Sequence, residues 1–313
     1  MKLPAGVNAL KTGPSVVWKS TGKVQQTLVE CVEISGKGLH SGEVARVRLW
    51  PELAGRGRYF CFGSQSIPAC IEFAEETPLC TTLCKDGMRV RTVEHLLSAL
   101  EAMGVDNCRI EIEGSNSTDN SVEVPILDGS AKEWVHAIEE TGLRVASDQG
   151  GNPYDQLAPH LNEPVHVFRN DAFVAAFPSP SRQVTCGIDF PQVPAIGRQW
   201  FSSGLLDKTC YTREIASSRT FCVFEEVEKM QKAGLIKGGS KENAIVCSST
   251  EGWLNPPLHF IDEPCRHKAL DLIGDLSLFA ASGSQGLPVA HIVAYKAGHA
   301  LHADFVRRLS QVS

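Results

Sequence analysis

The chain has 313 residues, 42% hydrophobic and 21% charged, the balance of a globular protein with room for two cores of ordinary domain size. A formal net charge of −6 excludes broad attraction to nucleic acid, and no run of about 18 apolar residues is present to span a membrane as a helix. Eleven cysteines without a CxxC pair exclude a Cys-rich structural zinc site and point away from a secreted disulfide framework, towards a reducing compartment.

Residues 1–23 form a leader. It carries Lys2, Lys11, Lys19 and Lys23, and Glu30 is the first acid of the chain. A basic, acid-free start fits a mitochondrial transit peptide. The lack of arginine and the breakers Pro4, Gly6, Gly13 and Pro14 fit equally well a plain tail on a cytoplasmic protein. From residue 24 the chain alternates around turn glycines, as strand, turn and strand. Leu96, Leu97, Leu100 and Met103 give 91–105 a helical period, ended by Gly104. NCRIEIEG (107–114) alternates as a strand, 114–121 reads as a polar loop, and 130–143 as a second amphipathic helix.

The polar stretch 146–162, rich in Gly and Pro, reads as a linker between an N-terminal domain (24–145) and a C-terminal one (163–313). Beyond it, PVHVFRN, AFVAAFP and QVTCGIDF read as strands and 222–233 as a helix. A helix begins at Pro264 and runs through RHKALDLIGDLSLFA, 288–298 is an apolar strand, and a last helix starts at His299. Each half has strands, then a helix with a histidine near its start, then an apolar strand. The expected fold is therefore α+β, with two halves of related plan and a cleft between them.

On the helix after Pro264, His267, Asp271 and Asp275 are spaced four apart and share a face. Leu270, Leu272, Ile273 and Leu276 make the rest of that helix apolar, and charges on a buried helix are costly unless paired or metal-bound. His267 and Asp271 have donor atoms suited to a first-row metal; the same spacing also fits an ordinary surface His–Asp pair. His95, at the start of the first helix, would complete a His₂Asp set with an open position, and Glu94 beside it has the chemistry of a general base. His299, after the turn at Gly298, would be exposed at a strand end. There Asp275 would favour its cationic form, able to stabilise an oxyanion or protonate a departing amine. The apolar positions of 217–246 fit core packing or a groove for an acyl chain.

The motifs GKGLHSG (36–42), PLCTTL (78–83), RTVEHLLSALEAMGVDN (91–107), EVPILDGSA (123–131), SSRTF (217–221), AGLIKGGS (233–240), RHKALDLIGDL (266–276) and AYKAGHAL (294–301), in this order, make the chain resemble the UDP-3-O-acyl-N-acetylglucosamine deacetylases, zinc enzymes of lipid A biosynthesis, in a plant-like version. The resemblance covers about residues 25 to 308. It implies two domains of similar topology, each a sheet with helices on one face, the helices sandwiched between the sheets, and one insert per domain, the second forming an acyl passage.

The same resemblance implies zinc bound by His95, His267 and Asp271, with ferrous iron an acceptable substitute, and Glu94 as the base that activates the attacking water. It implies His299 as cationic general acid with Asp275 as its carboxylate partner, and Thr220 as an oxyanion donor. Lys268 and Lys296 would lie near the diphosphate and sugar, Phe221 beside the sugar, and Asp189 and Phe190 near uridine. Val227, Met230, Ile236, Ala244 and Val246 would line the acyl passage. The implied partner is a small acylated UDP-sugar, with no nucleic acid and no obligate protein partner. The alternatives are a zinc amidase for another acetamide and a catalytically silent protein that binds acylated sugar nucleotides.

Overall fold

The computed structural model describes residues 13–114 and 120–313. The first twelve residues of the leader and the centre of the polar loop at 114–121 lie outside them. The described residues form an α+β fold of several sheets and six α-helices. The helices are α1 (Glu94–Met103), α2 (Lys132–Thr141), α3 (Lys208–Glu214), α4 (Phe224–Lys232), α5 (Glu263–Leu276) and α6 (His299–Gln311).

One five-stranded sheet runs in the order Val32–Lys37, Val44–Pro51, Cys108–Gly114, Arg58–Phe62, Gln65–Pro68. Only Cys108–Gly114 and Arg58–Phe62 are parallel. Alternation sorts its faces. Val47, Leu49, Phe60, Ile110 and Ile112 are buried, while on the other side Arg48 reaches Glu33 at 2.7 Å and Glu113 at 2.6 Å. A second five-stranded sheet runs Val165–Arg169, Ala172–Pro178, Ala290–Tyr295, Gln183–Phe190, Gly197–Ser202, again with one parallel pair, Gln183–Phe190 with Ala290–Tyr295.

Helices α1 and α5 pack on each other inside the protein. In α1, Leu96, Leu97, Ala99 and Leu100 are fully buried, and in α5 so are Ala269, Leu270, Leu272, Ile273 and Leu276. Burying each large aliphatic side chain contributes about 1.5–3 kcal/mol. A polar relay ties the pair: Tyr211 Oη–H donates to Ser98 Oγ at 2.8 Å, and Ser98 Oγ–H donates to the Leu270 carbonyl at 2.8 Å. Gly104 closes α1 with φ 78°, the left-handed cap its position predicts.

The structure revises several expectations. The helix expected at 222–233 begins later, because Phe221–Val223 is a strand paired with Ile245–Ser248. Helix α3 is absent from the sequence reading. At seven residues it is too short for a period, and its one signal is the Asp207 cap, whose carboxylate accepts the Cys210 N–H at 2.8 Å. Part of the leader and part of the linker are strand: Val16–Val24 pairs antiparallel with Asp155–Leu161. Trp18 packs on Phe279 with ring centroids 5.1 Å apart, which anchors this ribbon.

Candidate metal centre and active site

Pro264 stands in the first turn of α5, where its missing N–H costs nothing. From that start the helix carries His267, Asp271 and Asp275 inward on one face, and all three are buried. The first turn of α1 delivers Glu94 and His95 to the same place, also buried. The two helices can meet there because Gly274 has no side chain: a Cβ on it would lie 2.1 Å from the Glu94 carbonyl oxygen.

His95 Nε2 lies 3.5 Å and His267 Nε2 3.4 Å from Asp271 Oδ1, and the two imidazoles are edge-to-face with centroids 4.9 Å apart. Ligands about 2.0–2.2 Å from a tetrahedral ion stand roughly 3.3–3.6 Å from one another. Asp271 Oδ1 is buried with no hydrogen-bond partner among the described residues, while Oδ2 accepts from Lys268 Nζ at 2.9 Å. His267 Nδ1 faces the Ser218 carbonyl at 3.0 Å and is therefore its protonated nitrogen, leaving the Nε2 lone pair for the site. Burial drives the His267 pKa down to about 3, so no proton on that ring satisfies Asp271. A divalent cation would, and the residues fit zinc.

Beside this trio stand further buried ionisable groups. Burial pushes the Glu94 carboxyl up to about 8; its Oε2 accepts the Thr81 N–H at 3.0 Å, and its Oε1 lies 4.0 Å from His299 Nε2. His299 opens α6 with its Nδ1 2.7 Å from Asp275 Oδ2. Burial opposes its charge, but Asp275, Glu94 and Asp271 outweigh that and lift it to about 10. Asp275, which burial would raise, is held at about 2 by His299 and His302. His299 is less open than its strand-end position implies, with 14% of its side chain exposed, because α6 folds back over α5.

The trio lies behind the wall of a cleft of about 1140 Å³, reached through two wall residues: His299 Nε2 lies 4.0 Å and Lys268 Nζ 2.9 Å from Asp271 Oδ2. Thr220, Phe221, Lys268, Lys296 and His299 line it, with Val227, Met230, Ile236, Ala244 and Val246 supplying an apolar wall. Thr220 is strapped in place, its N–H donating to the Gly129 carbonyl at 2.7 Å and its carbonyl accepting from Ile245 at 2.8 Å. Lys296 meets Asp171 at 2.5 Å. Asp189 and Phe190 lie outside the wall. Phe190 packs edge-on against Phe221 at 5.5 Å, and Asp189 is held by Arg198 and the Tyr295 hydroxyl, each at 3.2 Å.

Sequence reasoning gave no role to several residues of this neighbourhood. His40, Leu79, Phe224, Arg169 and Asn170 line the cleft. Thr81 donates to Asp275 Oδ1 at 2.5 Å, and His302 Nδ1 lies 2.7 Å from Asp275 Oδ2. The pair His299 and His302, three apart at a helix start, was the available signal. His40 and Thr81 sit inside motifs whose residue types alone suggest no chemistry.

Comparison with known proteins agrees with this geometry. The family model described as "LpxC: UDP-3-O-acyl N-acetylglycosamine deacetylase" matches residues 25–311. The chain is 59% identical over 324 residues to the "Probable UDP-3-O-acyl-N-acetylglucosamine deacetylase 1, mitochondrial" of Arabidopsis thaliana, covering 99% of both chains. It is 48% identical to the UDP-3-O-acyl-N-acetylglucosamine deacetylase of Trichormus variabilis, over 92% of this chain and 99% of that one. It is 44% identical to that of Thermosynechococcus vestitus, over 96% and 98%. With the match running almost end to end and the motifs converging on one buried centre, the chain belongs to the UDP-3-O-acyl-N-acetylglucosamine deacetylase family.

Proposed function

We propose that the chain hydrolyses the acetamide of UDP-3-O-(3-hydroxyacyl)-N-acetylglucosamine, releasing acetate and UDP-3-O-acyl-glucosamine, a step of lipid A biosynthesis. The observation that carries this reading is the meeting of three metal donors and a buried carboxylate behind one partly apolar cleft, with the cationic imidazole of His299, which lines that cleft, 4.0 Å from both Glu94 Oε1 and Asp271 Oδ2. Zinc held by His95, His267 and Asp271, or ferrous iron in its place, supplies Lewis acidity at that point.

Glu94 takes a proton from the water that attacks the acetamide carbon. Thr220 and the positive edge of His299 steady the negative oxygen that forms on that carbon. His299 then gives a proton to the sugar nitrogen as the C–N bond breaks, and Asp275 keeps the ring turned and charged for that task. Lys268 and Lys296 offset the charge of the diphosphate, Phe221 flanks the sugar, and Asp189 and Phe190 serve the uridine end. Val227, Met230, Ile236, Ala244 and Val246 receive the acyl chain, at about 0.8 kcal/mol for each methylene taken from water.

We read 24–145 and 163–313 as two domains of similar topology joined by 146–162. In support, both five-stranded sheets place their last strand centrally, parallel to their third. We read the part of the leader ahead of the Val16–Val24 strand as a mitochondrial targeting segment, in keeping with the name of the Arabidopsis relatives; no helix among the described residues is long and apolar enough to cross a membrane. The test is acetate release by the zinc-loaded chain from the acylated nucleotide sugar. Equimolar acetate and deacetylated nucleotide are expected, and tight binding without acetate contradicts the reading. Mitochondrial import of a reporter fused to the first 30 residues tests the location.

A further inference from the structure

One carboxylate, Asp275, gathers three donors. Its Oδ1 accepts from Thr81 Oγ1 at 2.5 Å, and its Oδ2 lies 2.7 Å from both His299 Nδ1 and His302 Nδ1. His302 is 1% exposed and is not part of the cleft wall, so it cannot touch a substrate lying there. Its backbone N–H is already spent on the Gly298 carbonyl, in the first turn of the helix that begins with His299. The two rings, three residues apart, stand nearly perpendicular at 83° with centroids 6.1 Å apart, and converge on one oxygen. A carboxylate held only by His299 and Thr81 has one donor on each oxygen and can still rock about its last bond. A third donor arriving from a different direction removes that freedom.

We propose that His302 is a positioning residue for the acid–base chemistry: it fixes the plane of the Asp275 carboxylate so that Oδ2 stays on His299 Nδ1 and the opposite edge of the His299 ring stays turned to the reacting amide. This rests on the reading of His299 as the proton donor. An imidazole at 302 suits the task because its N–H is aimed by a stiff ring seated in the helix, whereas a flexible donor would have to be ordered first.

The test uses the full-length zinc-loaded chain and acetate release from UDP-3-O-(3-hydroxyacyl)-N-acetylglucosamine. It compares His302→Asn, which keeps a side-chain N–H close to the position of Nδ1, with His302→Leu, which fills similar space without a donor. His302→Leu is expected to lower kcat roughly 10–100-fold, the usual cost of losing a supporting hydrogen bond, with KM and zinc content unchanged. His302→Asn is expected to recover most of that loss. Should His302→Leu fail to fold, His302→Ala takes its place. Parental kcat in the donor-free variant, or equal losses in both variants, overturns the proposal. His299→Ala is measured alongside: if it too turns over at the parental rate, the reading of His299 fails, and if only His302→Leu does, that reading stands and the role of His302 falls.

Discussion

Gly274 and Glu94 touch backbone to backbone where α5 crosses α1, and a Cβ at residue 274 would fall 2.1 Å from the Glu94 carbonyl oxygen. The contact lies between Asp271 and Asp275 on one helix and immediately before His95 on the other. The spacing of the proposed metal donors therefore depends on a missing methyl group. Gly274→Ala forces the helices apart, a change of the overpacking kind that costs about 1–3 kcal/mol. The variant is expected to melt lower and, when folded, to bind zinc more weakly, as read by melting temperature and by chelator competition. Parental zinc affinity would show that the crossing does not set the site.

Glu94 and His299 are assigned to proton transfer, not to holding metal. Glu94→Gln and His299→Ala should each reduce kcat by about 10²–10⁴ while zinc content stays at the parental level. Metal analysis and acetate release on the same preparations check this. Loss of zinc with activity would move the residue into the metal-holding set.

Asp106 offers a test of stability against pH away from the site. It is buried, and burial lifts its pKa to about 7, against the hydrogen bonds from the Gln26 N–H and Gln156 that favour its charge. A carboxyl whose folded pKa lies above its unfolded value, here near 3.8, stabilises the fold while protonated. That contribution is complete below the unfolded value, drains as pH rises to about 7, and is gone above it. The melting temperature of Asp106→Asn relative to the parent should therefore increase between pH 4 and pH 8. A difference constant across that range contradicts the shift.

The buried pair of Arg58 and Glu101 pins α1 to the loop before Ala290–Tyr295. Arg58 Nη2 donates to Glu101 Oε2 at 2.5 Å, and Glu101 Oε1 accepts the N–H groups of Gly286 and Leu287 at 3.0 and 2.8 Å. Glu101→Ala strands a buried guanidinium and two amides, so the expected loss is about 3–5 kcal/mol. Urea unfolding measures it, and a loss below about 1 kcal/mol, the range of an exposed pair, would contradict the burial argument.

The sequence makes the α5 stripe readable because four-residue spacing on an apolar helix admits few outcomes. That His95 joins it is a long-range fact: residue types could suggest His95 as a third ligand, and the resemblance to a known family implied it, but no local pattern brings the two helices together. The apolar wall of the cleft was readable by the same resemblance, since Val227 and Met230 taken alone fit core packing equally well. The ribbon of Val16–Val24 with Asp155–Leu161 was not readable. Its residues alternate weakly, lysines and a glycine interrupt it, and all but Val16 are exposed or half-buried, so backbone pairing with a distant segment makes it a strand. His302 escaped for a related reason: a histidine whose ring bonds another side chain looks, in sequence, like any polar residue on a helix.

The most direct test of the metal centre is zinc content measured with acetate release for the parent, His267→Ala and Asp271→Asn. The parent should hold about one zinc per chain, as three protein ligands and one open position imply, and should release acetate; both variants should lose metal and activity together. Zinc content and turnover at parental levels in His267→Ala would contradict the assignment of that centre.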